Sequence, residues 1–105
     1  ETTGWKEIKN SMPTLDGHPT YINSIDRVIL DSYPNRFGIM SLYFGSINQK
    51  DKLEKIASIV NEPQYIGANR CDLHPRYSMK HNLIVSDLPY KNCRRILVIK
   101  NNKFN

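Results

Sequence analysis

Cysteine is scarce in this chain: Cys71 and Cys93 are the only two in 105 residues. Their spacing matches neither a zinc finger nor a redox dithiol. It fits two free thiols in a reducing compartment, which favours a cytoplasmic setting, with one disulfide as the alternative. Long apolar runs are missing as well. No stretch approaches the ~18 residues of a membrane helix, so neither a membrane span nor a signal peptide is expected. The chain opens on Glu1, which fits a segment processed or excised from something longer. A stripe of like charge is also absent. Lys and Arg number 15 against 10 Asp and Glu, a formal charge of +5. Lys50, Lys52 and Lys55 nevertheless alternate with Asp51 and Glu54, and Arg94-Arg95 is only a pair. Scattered charge of this kind argues against a nucleic-acid partner. There is no Ser-His-Asp order, no paired-glutamate constellation, no phosphate-cradling glycine loop and no HExxH helix. No catalytic residue is therefore assigned.

What the chain does have is a repeated pattern. Leu15-Asp16-Gly17-His18-Pro19-Thr20-Tyr21 returns as Cys71-Asp72-Leu73-His74-Pro75-Arg76-Tyr77, with Arg70 before the second copy. His18 to His74, Pro19 to Pro75 and Tyr21 to Tyr77 share one offset of 56. Carried onward without a gap, this offset sets Val28-Ile29 against Ile84-Val85 and Asp31 against Asp87. It sets Met40 against Ile96, and Leu42-Tyr43 against Val98-Ile99. Self-similarity at a period of this order marks repeated supersecondary units, and four-stranded propeller blades run to about 40–50 residues.

The strands follow from alternation and β-branched runs. Trp5-Lys6-Glu7-Ile8-Lys9 alternates as a half-buried strand does. A loop with Pro13 and Gly17 follows, then a short strand at 19–22, a buried strand at 27–32 and an alternating strand at 39–45. Residues 53–60 fit either a helical stripe (Leu53, Ile56, Val60) or an alternating strand, and position in the repeat favours the strand at 53–59. The second unit repeats the first three strands at 75–78, 83–87 and 96–100, with a turn at 88–92. The tail from residue 101 is polar and is expected to fray.

The fold class expected is therefore all-β, with antiparallel four-stranded blades in about two repeats. Residues 1–14 would be an outer strand of a neighbouring blade and a linker. Residues 15–60 form blade repeat one, and 61–105 form blade repeat two, which lacks its outer strand. Two blades alone leave faces bare. The expected partners are other blades of a longer parent or identical copies, for which three copies would give six blades.

Gly17-His18-Pro19-Thr20-Tyr21, Asp31-Ser32-Tyr33-Pro34-Asn35-Arg36 and Leu42-Tyr43 resemble the bacterial TolB-type β-propeller repeat. Residues 70–78 followed by Asp87 do so too. The nearest branch resembles oligogalacturonate lyase and related proteins of polysaccharide metabolism, and the likeness covers about residues 15 to 100. Where that family places a Ser-Pro-Asp-Gly turn, this chain has Ile22-Asn23-Ser24-Ile25 and Ser78-Met79-Lys80-His81. The resemblance implies a carbohydrate-binding or scaffold module. The alternatives are part of a metal-assisted lyase, or a protein-interaction propeller without a small ligand.

His18 and His74 begin the innermost strand of adjacent units. In the lyases that this chain resembles, channel histidines help to hold a divalent metal and a uronate. His18 and His74 are thus candidate metal ligands, with Asp72 and Asp16 nearby, although no cofactor is required. The competing reading has each histidine hydrogen-bonded to a neighbouring blade, locking the strand start. Asp31, Tyr33 and Arg36 cluster after the second strand, and Arg70, Asp72 and Arg76 flank His74. Arginine grips a carboxylate through two parallel hydrogen bonds, which suits an acidic oligosaccharide. Tyr33, Tyr65 and Tyr90 could offer flat faces to sugar rings. The competing reading is an Asp–Arg network holding turns together.

Overall fold

The computed structural model describes residues 16–46 and 53–100. The expected strand at residues 5–9 and the tail from residue 101 lie outside the described residues. Seven strands form two antiparallel sheets. The first holds β1 (Pro19–Ile22), β2 (Arg27–Asp31), β3 (Ile39–Gly45) and β4 (Glu54–Val60), paired in that order. The second holds β5 (Arg76–Ser78), β6 (Leu83–Tyr90) and β7 (Cys93–Lys100), also in order. The residues at 54–60 are a strand because β3 pairs with them from Ile39↔Val60 to Phe44↔Glu54, and Leu53 lies just before it. Among the described residues no helix is long and apolar enough to cross a membrane.

The two sheets keep one register at their inner hairpins. Thr20 pairs Ile29 and Tyr21 pairs Val28; correspondingly, Arg76 pairs Val85 and Tyr77 pairs Ile84. Both inner turns end on a left-handed residue, Asp26 at φ 51° and Asn82 at φ 56°. Short Asx side chains tolerate this conformation because they bond locally. In each unit the strand tyrosine supplies that bond: Tyr21 Oη–H donates to Asp26 Oδ1 at 2.7 Å, and Tyr77 Oη–H to Asn82 Oδ1. This Tyr–Asx staple makes the turn without glycine.

The outer hairpins differ. Asp31 pairs Leu42, whereas Asp87 pairs Ile96. Leu42 therefore corresponds to Ile96, and the gapless offset of 56 fails at the third strand, where it becomes 54. The cause is the turn. In the second sheet β6 and β7 pair up to Tyr90↔Cys93, leaving only Lys91 and Asn92 between them. Both have positive φ, 50° and 61°, as a two-residue type I′ hairpin requires. The expected turn at 88–92 thus shrinks to two residues, and β6 runs on through Pro89. That proline neighbours the pair that closes the turn, a position that makes no ladder bond to β7, and β5 ends before it. The first sheet uses a longer loop, tied by the Asn35 Oδ1 acceptor to the N–H groups of Phe37 and Ile39.

The core lies between the sheets. Ile22 and Ile29 meet Ile84, with Tyr77 and Ile99 packed against them. Met40 and Leu42 meet Leu73, with Leu97 and Ile99 alongside. The innermost strands are linked where Thr20 Oγ1–H donates to the Pro75 carbonyl at 2.7 Å. Full burial of a side chain such as Leu42, Leu73 or Ile84 contributes about 2 kcal/mol.

Candidate functional site

The site is built on Asp31, the last residue of β2. Its strand is an apolar run whose neighbours are buried, so the carboxylate is carried into the interior with 0% exposure. A buried carboxylate must be satisfied by donors. Asp31 receives three. The His18 main-chain N–H donates to Oδ1. The His18 ring faces both oxygens through Nδ1, at 3.2 and 3.1 Å. The His74 main-chain N–H donates to Oδ2 at 3.0 Å. One acid therefore holds the strand starts of both units.

Two backbone features make this possible. Gly17 passes so close that a Cβ there would lie 1.8 Å from the Asp31 carbonyl oxygen. His74 adopts φ 43°, a left-handed conformation costing a non-glycine residue about 1–2 kcal/mol. With the chain in this conformation the His74 N–H reaches Asp31 of the other sheet. Of the expected lock, in which each histidine bonds a neighbouring blade, one bond crosses between units, from the His74 main chain to Asp31, whereas the His18 bonds stay within the first unit. Asp31, a candidate ligand contact by its place beside Tyr33 and Arg36, is turned inward as the acceptor of this lock.

With Nδ1–H directed at the carboxylate, His18 Nε2 presents a lone pair, and Tyr33 Oη–H lies 3.4 Å from it. The His74 ring stands edge-on to His18, centroids 3.8 Å apart at 88°. Tyr33 also meets His18 edge-on, at 5.3 Å. Arg70 completes the group: its Nε is 3.0 Å from Asp72 Oδ2, and its guanidinium lies 5.4 Å from the Tyr33 ring centroid. One ligand atom from each of His18, Asp72 and His74 lies within 4.8 Å of the others. Two imidazoles and a carboxylate are a donor set that zinc and other divalent transition ions accept. The Asp31–His18 bond has the form of the carboxylate–histidine support that orients metal-bound imidazoles. The donor types thus fit a divalent ion, with His18, His74 and Asp72 as its holders.

A cleft of about 520 Å³ opens beside this cluster, bordered by Tyr33, Arg36, Tyr65, Arg70 and Asp72. Asn61 Oδ1 is a buried atom of the cleft lining with no hydrogen-bond partner among the described residues. The sequence offered no signal for Asn61. The eight candidate ligand residues thus divide. His18, Asp31, Tyr33, Arg70, Asp72 and His74 come together, and Arg36 lies further along the cleft, stacked at 4.7 Å on Phe37. Arg76 does not border that cleft; it pairs with Asp87 at 3.1 Å. Asp16 acts through its carbonyl, which accepts the Tyr33 N–H at 2.8 Å. Of the tyrosines, Tyr65 is buried with Arg94 at 5.3 Å from its ring, and Tyr90 sits at the β6–β7 turn. Both cysteines are free thiols, Cys71 buried and Cys93 exposed. Burial pushes the Cys71 thiol above its usual range, against the opposing pull of Arg94.

No protein-family model, no curated protein and no solved structure matches this chain.

Proposed function

We propose that this chain is a carbohydrate-binding portion of a TolB-like β-propeller, a scaffold module that holds an acidic oligosaccharide. The observation that carries this reading is the cleft in which Arg70 lies over Tyr33, with Arg36 on the same border. A guanidinium beside an aromatic face offers a sugar carboxylate a charged grip and its ring a flat surface. Two units of a blade-like repeat, joined through Asp31, would be the scaffold that fixes this geometry.

The experiment is a thermal-shift titration with short uronate oligomers against neutral oligomers of equal length. Binding to the folded state raises Tm with ligand concentration. Uronate oligomers should raise it, neutral ones should not, and Arg70→Ala should abolish the rise. Equal responses to both sugar classes would defeat the reading.

One specific observation favours a second reading, part of a metal-assisted polysaccharide lyase: the convergence of His18, His74 and Asp72. A divalent ion held there would act as a Lewis acid on a bound carboxylate. On this reading manganese or zinc binds by calorimetry, His74→Ala weakens binding at least about tenfold, and turnover yields an unsaturated product absorbing in the near ultraviolet.

A further inference from the structure

The second sheet has two faces with opposite fates. Tyr77, Ile84 and Ile99 pack toward the first sheet. Paired residues of an antiparallel ladder share a face. The ladders Arg76↔Val85, Val85↔Val98 and Asp87↔Ile96 therefore place these five residues together on the other face. There Ile96 is 66% exposed and Val98 54%. The register of the repeat equates this face with Thr20, Ile29, Asp31, Leu42 and Phe44 of the first sheet. That is the face the first sheet buries, with Ile29, Asp31 and Leu42 at 0% exposure. One positional pattern is thus covered in one unit and bare in the other. The bare face also ends in β7, an eight-residue edge strand with no outer partner among the described residues. Long edges and contiguous apolar faces are features that folded proteins cover.

We propose that this face binds a second copy of the chain, like face to like face, about a two-fold axis. Where no further blade of a parent covers the face, the choice of occupant follows from elimination. The first sheet buries Ile29 and Leu42 on one face and Val28 and Leu30 on the other. The inner face of the second sheet is packed in the core. Among the described residues, a second copy has one bare apolar sheet face to offer, and it is the same one. Such a contact is isologous and closes at two subunits. Arg94 and Lys100 stand at the two ends of the face, on its rim, and the central charges agree with this symmetry. Arg76 and Asp87 lie side by side on the face, so a two-fold axis between them sets each arginine opposite the partner's carboxylate.

Sedimentation equilibrium of the full chain tests the interface. The chain should be a dimer. Val98→Lys should weaken association by about a hundredfold, as a charge buried at a packed interface does, while leaving circular dichroism unchanged and lowering Tm no further than that of the wild-type chain diluted until it dissociates. Asp87→Arg should weaken it too, and adding Arg76→Asp should restore it, because the two charges trade places across the axis. A monomer at every concentration overturns the proposal, as does a trimer, which needs a head-to-tail contact. A dimer indifferent to Val98→Lys overturns it as well. A Val98→Lys chain that melts below the dissociated wild-type chain overturns it by showing that the face packs within the monomer.

Discussion

Asp31 and Asp87 hold the same register position in two sheets built on one pattern, yet one is sealed and the other is wet. Asp31 has no exposed surface and accepts from three donors on two units. Asp87 has a side chain 42% exposed and pairs with one arginine. The residue type is the same; the neighbouring sheet makes the difference. A carboxylate becomes a structural centre when a second layer removes water and supplies main-chain donors. Without that layer it remains a surface ion pair, typically worth under about 1 kcal/mol.

The sharpest test of this contrast is a pair of alanine substitutions followed by urea denaturation. Asp31→Ala leaves the buried donors of His18 and His74 without an acceptor and should cost about 4 kcal/mol. Asp87→Ala, measured at dilution where the chain is a monomer, should cost under about 1 kcal/mol. Similar losses at the two sites would dissolve the comparison. The next test uses Gly17 and Leu73, which also occupy equivalent positions. Leu73→Ala empties the contact with Met40 and Leu42 and should cost about 3 kcal/mol. Gly17→Ala forces a methyl against the Asp31 carbonyl and should cost about 2 kcal/mol. A neutral Gly17→Ala would mean that the approach of this loop to Asp31 is looser than 1.8 Å requires.

A smaller effect is expected at His74. Alanine keeps the main-chain N–H that reaches Asp31, and the ring lost is exposed. His74→Ala should therefore change stability by less than about 1 kcal/mol, below the 1–3 kcal/mol of a lock made by the ring itself. The smallest effect concerns pH. The Tyr21 hydroxyl is held above its usual range, first by its hydrogen bond to Asp26, then by desolvation and the carboxylate charge. The folded chain thus keeps this proton longer than the unfolded chain. The contribution is complete below the usual tyrosine range and is lost as pH rises through the raised value. In a tyrosine absorbance titration, Tyr21→Phe should remove a late-ionising group, and Asp26→Asn should move it to lower pH. An unchanged titration in Asp26→Asn would place the cause elsewhere.

Much of the fold was legible because strands advertise themselves through alternation and β-branched runs. The span 19–22 and the span 39–45 coincide with β1 and β3. The third-strand offset was not legible. Side chains alternate with a period of two, so sliding Ile96 from Met40 to Leu42 leaves the apolar pattern intact. Only the backbone of Lys91 and Asn92 decides it. The histidines were legible as a pair through their shared His-Pro start. The part played by Asp31 was not, since a sequence shows an acid at the end of an apolar run without showing what will cover it. The Tyr–Asx staple was legible in principle: tyrosine is followed five residues later by Asp26 in one unit and Asn82 in the other.

The two hairpins of unequal length carry a consequence for editing the molecule. Their difference of two residues leaves every later side chain on its own side. A peptide tag inserted between Lys91 and Asn92 should leave β7 in place, because the added residues enter the loop while the ladder from Tyr90↔Cys93 onward keeps its partners. A single added residue turns the two-residue tip into a three-residue loop with a bulge. Only a tip held at two residues would slide β7 by one position, sending Leu97 and Ile99 into water and Ile96 and Val98 inward.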